Sequence, residues 1–387
     1  MKKIQLTKKP RCRDSFSKCE KIFIYGSGRS GRRLSSMLKR LNILITFIDS
    51  NSMLWNQYIS GIRVISPSEF YDLELNDRSL VVVSVSSPEN MIIMKKLLNY
   101  GFEMGVDAFV FDNIFEDYYL PQLFFCHERK LYAKNIDLSL TQFCNLRCKE
   151  CSIRTPYISN PIHEDLDELK KSCESFFEWF NYVDNLYLIG GEPILYPDLS
   201  GIVRFLFEQY DEKIGNLIVA TNGLVPIKDS LLNQLDKRLK FQISDYSNVL
   251  SKYEERMRNF CKCLEFYGLQ YTRMSDFEWI DYGFGHQIER SYSFNVEQFF
   301  DDCGIDCRGL YQSKLYYCFP AMMVDRVEKS ENDTNSYFDL LHFDENRKEE
   351  LLEFLLGVTE TGFINRCFKC NGSYLTNKKK IAVAEQL

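Results

Sequence analysis

Three closely spaced cysteines follow an apolar stretch near the middle of the chain. Cys144, Cys148 and Cys151 form the pattern C-x3-C-x2-C within residues 138–153, LSLTQFCNLRCKECSI. Because the run before them is typical of a strand, the three thiolates can converge on one side of a short loop. Three soft sulfur ligands without a fourth nearby suit an iron–sulfur cube in which one iron stays open to another ligand.

Zinc, structural cysteines and a redox disulfide are the alternatives for this loop. Zinc usually takes paired C-x2-C units or mixtures of cysteine and histidine in a closed tetrahedron. No histidine lies within ten residues of Cys148. The cysteines also cluster at ligand-like spacings and are not spread as a disulfide framework would be. The pattern therefore favours an iron–sulfur cluster.

Two later segments place glycines and polar side chains where strands are expected to end. The first is YLIGGEP at 187–193 and the second is ATNG at 220–223. Glycine has no side chain, so the backbone can approach the ammonium and carboxylate groups of a ligand, and a glutamate can accept from a cation. A simple turn is the alternative for the first segment. The candidate residues are Gly190, Gly191, Glu192, Pro193, Thr221 and Asn222.

With these motifs in this order, the sequence resembles the radical SAM superfamily. The resemblance implies that Cys144, Cys148 and Cys151 hold a [4Fe–4S] cluster and that the GGEP segment binds the methionyl end of S-adenosylmethionine. It also implies reductive cleavage of S-adenosylmethionine to a 5′-deoxyadenosyl radical, which takes a hydrogen atom from a substrate carbon. The electron would come from a donor such as flavodoxin or ferredoxin.

Residues 21–113 are predicted to form a small Rossmann-like parallel-sheet domain. A strand at 21–25 runs directly into the turn GSGRSG at 26–31 and then into a helix, which is the context of the dinucleotide fingerprint. Asp49 follows the second strand, where a ribose-binding carboxylate would lie. The segment resembles N-terminal domains of sugar acyltransferases and other glycan-modifying enzymes, so it could bind a nucleotide, another phosphate or nothing. The candidate glycines are Gly26, Gly28 and Gly31.

Residues 133–290, after a linker at 114–132, are predicted to form a partial (β/α)6 TIM-like barrel. Strands and helices alternate here, which indicates parallel strands joined by right-handed crossovers. Catalytic groups in such barrels lie at the carboxyl ends of the strands, where the cysteine loop and both glycine segments fall. Ser244 and Asp245 also follow a strand and are candidates for binding the ribose hydroxyls, with a simple turn as the alternative.

Residues 291–387 are predicted to be a small cysteine-rich domain. Its candidate ligands lie in two groups, and residues 307–318 form a predicted hairpin with Ser313 where a glycine is usual. The pattern resembles the SPASM and twitch extensions, which implies an auxiliary iron–sulfur cluster; structural zinc is the alternative. One cube needs four ligands, so either Cys303 or Cys307 is spare. The five cysteines are Cys303, Cys307, Cys318, Cys367 and Cys370.

Composition limits the remaining possibilities. The chain has 387 residues, 45% of them hydrophobic, enough for two or three domains. A net charge of −6 and a pI near 5.5 argue against a nucleic-acid partner. No apolar run approaches ~18 residues, so no membrane span is expected. Fourteen cysteines without secretory features indicate the cytoplasm. Residues 1–20 are expected to be a basic tail.

The substrate is the least defined part of the prediction. A Rossmann-like domain before the barrel favours a carbohydrate or a nucleotide-linked sugar as the small-molecule substrate. A peptide is the main alternative, and the other two are an NAD-dependent oxidoreductase with relay clusters and a non-catalytic scaffold stapled by metal. Pocket candidates, which could instead be core residues, are Trp279, Asp281, Tyr282 and His286.

Overall fold

The computed structural model describes residues 14–75, 78–275, 278–283, 294–328, 335–373 and 376–387. The chain divides into two compact units, one of residues 10–132 and one that holds residues 133–387. The first thirteen residues of the predicted basic tail and the pocket candidate His286 lie outside the described residues. Among the described residues, no helix has the length and apolarity needed to span a membrane.

The first unit is built on one sheet with the order β3-β4-β2-β1-β5-β6 in its described part. Strand β3 pairs antiparallel with β4, and the five strands other than β3 are parallel. Counted in chain order, these five have the Rossmann-like order 3-2-1-4-5. The strands are β1 (Lys21–Tyr25), β2 (Leu44–Ile48), β3 (Tyr58–Ile59), β4 (Ile62–Ile65), β5 (Ser79–Val83) and β6 (Ala108–Val110). The helices are α1 (Asp14–Ser17), α2 (Arg29–Leu38), α3 (Pro67–Tyr71), α4 (Glu89–Tyr100) and α5 (Leu120–Glu128).

The core of this unit explains the apolar runs of its sequence. Strand β5 is buried at every position, because parallel strands between layers of helices are covered on both faces. Phe23, Phe70 and Leu97 are among the side chains that fill the space between sheet and helices. A π-helical turn at Phe115–Tyr119 leads into α5. Most of the segment predicted as a linker is therefore helical and belongs to the first unit.

The second unit contains a sheet with the order β11-β10-β9-β8-β7-β13-β14-β15 in the described residues. Strands β8 to β11 pair in parallel, and β13 pairs in parallel with β7. Strands β14 and β15 continue antiparallel, and β12 pairs separately with β16. The strands are β7 (Tyr132–Thr141), β8 (Tyr182–Gly190), β9 (Ile214–Thr221), β10 (Lys240–Ser244), β11 (Gln270–Met274), β12 (Trp279–Ile280), β13 (Cys307–Tyr311), β14 (Lys314–Tyr316), β15 (Tyr337–Asp339) and β16 (Lys380–Ile381).

This arrangement confirms the predicted α/β class with TIM-like barrel strands. The structure differs from the simplest six-strand order in one respect. Strands β7 to β11 follow barrel order, but the sixth parallel strand of the described residues, β13, lies beside β7 and not beyond β11. The hairpin that begins at Cys307 thus extends the barrel sheet. A separate domain from residue 291 stays a prediction.

The helices of the second unit pack two cysteines that lie outside the candidate metal ligands. Cys173 and Cys261 are both buried, so both are packing residues of the core. The helices are α6 (Leu166–Trp179), α7 (Leu199–Tyr210), α8 (Asp229–Leu232), α9 (Glu254–Phe266), α10 (Val296–Asp301), α11 (Phe319–Glu328) and α12 (Lys348–Leu356).

The β13–β14 hairpin turns without a glycine. Gln312 and Ser313 both have positive φ, 49° and 55°, a conformation that costs energy for residues with a side chain. Helix α6 supports the turn, because the Ser172 hydroxyl accepts the Ser313 N–H at 3.0 Å and the Ser175 hydroxyl lies 3.0 Å from that of Ser313. These contacts explain how serine is accommodated where a glycine was expected.

Candidate metal centre

The three-cysteine loop begins where β7 ends, at Thr141. Cys148 is buried, and Cys144 and Cys151 are partly buried. Burial, with a smaller contribution from neighbouring cysteines, raises the pKa of Cys144 to about 12 and that of Cys148 to about 11. The three sulfurs therefore lie within electrostatic range of one another, and an unliganded thiol here would keep its proton. A bound cation would be needed to stabilise the thiolates.

The GGEP segment lies directly on this loop. The N–H of Gly191 donates to the carbonyl of Thr141, and the N–H of Glu192 donates to that of Phe143, both at 2.8 Å. A Cβ atom on Gly190 would be 2.7 Å from the Thr141 oxygen, and one on Gly191 would be 2.2 Å from the Phe143 oxygen. Glycine is thus required here because the GGEP backbone packs closely against the backbone of the cysteine loop. The predicted contact of these glycines with a bound ligand stays a prediction.

Glu192 is fully buried and joins three segments of the site. One carboxylate oxygen accepts from the Thr221 hydroxyl at 2.6 Å and the Ile194 N–H at 3.1 Å, and the other accepts from the Asn222 N–H at 2.8 Å. Burial raises the pKa of this carboxyl to about 7, although the hydrogen bonds act in the opposite direction. Glu192 therefore fixes the end of β9 against the GGEP turn, which starts at Gly190. Its predicted contact with a ligand cation stays a prediction.

Asn222 connects Glu192 to the cysteine loop. Its side-chain amide donates to the Asn145 side chain at 2.8 Å and lies 3.9 Å from the Cys144 sulfur. Its amide oxygen accepts the Leu224 N–H at 2.9 Å. The ends of β7, β8 and β9 thus meet at one place, as expected for the carboxyl ends of barrel strands.

The end of β10 holds Ser244 and Asp245. Burial would raise the pKa of Asp245, but hydrogen bonds from Ser247 and Arg273 lower it below its usual value. The Ser247 N–H donates to this carboxylate at 2.8 Å, and Arg273 on β11 forms an ion pair with it. Asp245 is therefore occupied in holding its own turn, and the predicted ribose contact of Ser244 and Asp245 stays a prediction.

Tyr246, the next residue, is a site residue that sequence reasoning missed. Burial raises the pKa of its hydroxyl, and Cys148, Cys151 and Cys144 raise it further, so the ring lies near all three thiols. It also packs edge-on against Trp279, with 5.8 Å between ring centroids. A single tyrosine after a strand has no pattern that would have marked it, because its neighbours come from distant parts of the chain.

Four of the five later cysteines form a second group. Cys318 lies within electrostatic range of Cys370, Cys303 and Cys367, and burial raises its pKa far above the ordinary value. The Gly372 N–H donates to the Cys370 sulfur at 3.3 Å. These four come from three separate stretches of sequence, which the structure brings together.

Cys307 does not belong to that group. It begins β13 opposite Asn135 of β7, and its buried thiol donates to the carboxylate of Asp137. Burial raises the pKa of Asp137 to about 7, which the hydrogen bond from Cys307 partly offsets. Cys307 thus lies with Asp137 and apart from Cys318, and which of Cys303 and Cys307 is the spare ligand stays a prediction.

Stability is expected to depend on pH through Asp137. An unfolded chain loses this proton near pH 3.8, whereas the folded chain holds it to about pH 7, so stability falls as the pH rises between these values. Relative to Asp137→Asn, the wild type should lose up to about 4 kcal/mol from pH 4 to pH 7.5. Denaturant unfolding of the iron-free chains measures this, and parallel curves for the two proteins would contradict it.

The described pocket candidates contact the segment at 371–381. Asp281 is buried and forms an ion pair with Lys379 at 2.7 Å, and its carbonyl accepts from the Asn377 amide at 2.7 Å. The carbonyl of Tyr282 accepts the Asn371 N–H at 3.2 Å. These contacts anchor the later segment, and a substrate contact of Trp279, Asp281 and Tyr282 stays a prediction.

The predicted nucleotide turn of the first unit has the expected local geometry. A Cβ atom on Gly31 would be 2.0 Å from the Gly26 carbonyl oxygen, so glycine permits the tight approach of α2, whereas one on Gly28 would meet nothing within 4 Å. Burial would raise the pKa of Asp49, but hydrogen bonds from Ser27 and Asn51 lower it. Asp49 therefore closes the turn by binding Ser27, and binding of a nucleotide here stays a prediction.

Comparison with protein families gives two matches. A model of the radical SAM superfamily matches residues 138–258, which include the cysteine loop, the GGEP segment and Asn222. The chain carries a radical SAM domain. Radical SAM domains bind a [4Fe–4S] cluster and S-adenosylmethionine, so these two predicted cofactors are confirmed at the level of the superfamily. The auxiliary cluster and a nucleotide stay predictions. A second model, described as C2185-like, N-terminal, matches residues 18–105.

Individual relatives are more distant. GTP 3′,8-cyclase 1 of Mycobacterium tuberculosis is 33% identical over 94 residues, which is 24% of this chain and 26% of that protein. GTP 3′,8-cyclase of Campylobacter jejuni is 30% identical over 126 residues, 30% of this chain and 36% of that protein. The solved structure of BtrN with AdoMet and 2-DOIA is 16% identical with a TM-score of 0.37, and the match covers 67% of this chain and 99% of that one. The chain thus matches about a quarter to a third of the length of these curated relatives.

The two groups of thiols fit iron–sulfur clusters better than single metal ions. In the part of the chain that the structure describes, no three His, Cys, Asp or Glu side chains are close enough to hold one ion. A zinc ion needs all its sulfurs about 2.3 Å from one point. A cube takes one thiolate per iron, so its sulfur ligands stay further apart. Cysteines that lie near one another without converging on one point are compatible with the second geometry, and an auxiliary cluster on the later group stays a prediction.

Proposed function

We propose that the chain is a radical SAM enzyme that cleaves S-adenosylmethionine reductively and removes a hydrogen atom from a carbon of a small-molecule substrate. The observation that carries the proposal is the meeting of three cysteines with the ends of β8 and β9. Glu192, through Thr221 and Asn222, holds these ends together. Neither an NAD-dependent oxidoreductase nor a metal-stapled scaffold needs this arrangement.

The residues of the site have separate tasks. Cys144, Cys148 and Cys151 would hold the [4Fe–4S] cluster, which when bound supplies the electron that cleaves the sulfonium of S-adenosylmethionine to a 5′-deoxyadenosyl radical. Asn222 holds the cysteine loop through Asn145. Tyr246 packs against Trp279 within electrostatic range of the thiols, where its ring would exclude water. Exclusion of water protects a reactive species from side reactions.

Anaerobic formation of 5′-deoxyadenosine tests this function. The reconstituted, dithionite-reduced wild type should release it from S-adenosylmethionine, and Cys148→Ala should release at least about a hundredfold less, because a ligand is lost. Cys263→Ala is the matched control, since Cys263 lies on α9 outside both cysteine groups. No product from an iron-loaded wild type, or equal product from Cys148→Ala, would rule the proposal out.

We also propose that Cys303, Cys318, Cys367 and Cys370 hold an auxiliary iron–sulfur cluster. Their grouping around Cys318 and the burial of Cys318, Cys367 and Cys370 support four-sulfur ligation. Such a group could accept an electron from the substrate or help bind it. Reduction of the first cluster would need an electron-donor protein, and flavodoxin or ferredoxin has suitable chemistry.

Iron content should separate Cys303 from Cys307. Cys303→Ser is expected to lower bound iron by about four atoms per chain, because the second cube loses a ligand. Cys307→Ser should keep all the iron, since a serine hydroxyl can still donate to Asp137. Iron and sulfide analysis after anaerobic reconstitution measures both. Equal losses in the two variants would show that Cys307 is a ligand.

The substrate class we propose is a carbohydrate or nucleotide-linked sugar. Two features of the first unit support this class, namely its parallel sheet and the open space beside Gly28. In addition, the similar proteins named GTP 3′,8-cyclase carry the name of a nucleotide. A panel of nucleoside diphosphate sugars should raise the unfolding temperature of the wild type but not of Gly28→Val, which fills that space. If the unfolding temperature of neither protein changed, a peptide would be the better candidate for the substrate.

A further inference from the structure

A short segment far along the chain pairs with the cysteine loop. The N–H of Lys149 donates to the carbonyl of Glu385 at 2.7 Å, and the N–H of Leu387 donates to that of Arg147 at 2.9 Å. Cys148 and Gln386 lie opposite each other in this antiparallel bridge. The central cysteine of the loop is therefore held in a two-stranded arrangement.

The side chain of Gln386 points at the cysteine sulfur. Its Nε2 donates to the Cys148 Sγ at 3.2 Å and to the Ala384 carbonyl at 2.7 Å, and its Oε1 accepts the Arg147 N–H at 2.9 Å. The Arg147 N–H can only donate, so the atom that faces it must be the oxygen. The two amide hydrogens are thus directed at the sulfur and at the carbonyl.

The segment that carries Gln386 is anchored upstream. Strand β16 pairs with β12, Lys379 forms an ion pair with Asp281 at 2.7 Å, and the Ala384 side chain is completely buried. Leu387, in contrast, is 58% exposed. The segment that carries Gln386 is therefore held in place by the contacts that precede it.

We propose that Gln386 is a positioning residue that donates a hydrogen bond to the cluster ligand Cys148 and makes the cluster easier to reduce. The proposal rests on the function proposed above, because it requires a cluster on this loop. A reduced cluster carries more negative charge on its sulfur ligands, so a donor stabilises the reduced form more than the oxidised form.

Burial makes the effect specific to this donor. Cys148 is 7% exposed, so water has little access to replace an amide that is removed. Reduction potentials of iron–sulfur clusters respond to hydrogen bonds to the sulfurs and to solvent exposure. Among the described residues, the hydrogen bonds of the Cys144 sulfur come from other groups, Leu146 and Asn222. Loss of the Gln386 amide should therefore act through Cys148.

Redox titration followed by electron paramagnetic resonance tests the proposal. Gln386→Leu removes the donor at similar volume, and Gln386→Glu replaces it with a group that cannot donate when ionised. Both variants are expected to have a more negative midpoint potential, with the ratio of reduced to oxidised cluster falling roughly three- to tenfold at a fixed potential. Leu387→Ala is the matched control, since its exposed side chain can be shortened without loss of the backbone bond.

Iron content and loss of iron to a chelator give a second readout that does not depend on turnover. Both Gln386 variants should load iron like the wild type and lose it faster, because the loop is held less firmly. Unchanged potentials and rates in both variants, with iron present, would overturn the inference and leave the proposed function intact. A wild type that binds no iron on Cys144, Cys148 and Cys151 would instead refute the proposed function.

Discussion

Replacing Gly191 with alanine is expected to abolish binding of iron by the cysteine loop. The new Cβ would be 2.2 Å from the Phe143 carbonyl oxygen and 2.6 Å from its carbon, and both are backbone atoms. Relief requires the loop to move away, which breaks the Glu192 N–H bond to Phe143. Overpacking against side chains costs about 1–3 kcal/mol, and a clash with backbone should cost at least the upper value.

Gly201→Ala is the control for this experiment. Gly201 lies inside α7, and a Cβ there would be 3.3 Å from the end of the flexible Leu166 side chain. Alanine favours a helix by up to about 1 kcal/mol, so this variant should be as stable as the wild type or more stable. Bound iron, thermal unfolding and 5′-deoxyadenosine are measured on all three proteins. A Gly191→Ala protein that binds iron normally would contradict the close contact.

Replacing Glu192 with leucine is expected to destabilise the second unit and to disrupt the site. The change leaves three buried donors without an acceptor, namely the Thr221 hydroxyl and the N–H groups of Asn222 and Ile194. Each unsatisfied buried donor costs about 1–3 kcal/mol, so the total should be about 3 kcal/mol or more. Since Asn222 also holds the cysteine loop, we expect at least a tenfold loss of 5′-deoxyadenosine formation.

Glu192→Gln separates the loss of stability from the disruption of the site. A glutamine can keep one oxygen for Thr221 and Ile194 and loses the acceptor for Asn222, so it should cost about 1 kcal/mol. Denaturant unfolding of the iron-free proteins gives the stabilities, and iron analysis gives the state of the loop. If Glu192→Leu matched the wild type in both stability and iron content, Glu192 would not be the link between the ends of β8 and β9.

Local features of the fold could be predicted because their causes are local. Strand β1 was predicted at its observed bounds, since a continuous apolar run followed by a glycine turn leaves few alternatives. The cysteine loop, Gly191 and Asn222 were placed correctly at strand ends, because alternating strands and helices fix which end of the barrel they share.

Contacts between distant segments could not be predicted, because sequence patterns carry no information on such pairs. The pattern around Cys307 indicated a hairpin, but nothing in it indicated pairing with Asn135 or a bond to Asp137. Gln386 lies in a stretch without a motif, and its contact with Cys148 depends on the whole sheet. Glu192 was correctly singled out, whereas its partners became visible only in the structure.

The pairing of β13 with β7 also bears on how the protein is synthesised. On the ribosome, β7 and the cysteine loop emerge well before β13, which must still be translated before it can pair with them. At about 5–20 residues per second, the edge of β7 and three reactive thiols stay uncovered for on the order of ten seconds. Iron inserted in that interval would meet a loop that lacks both its strand neighbour and Gln386, so cluster assembly is expected to follow translation of the later segments.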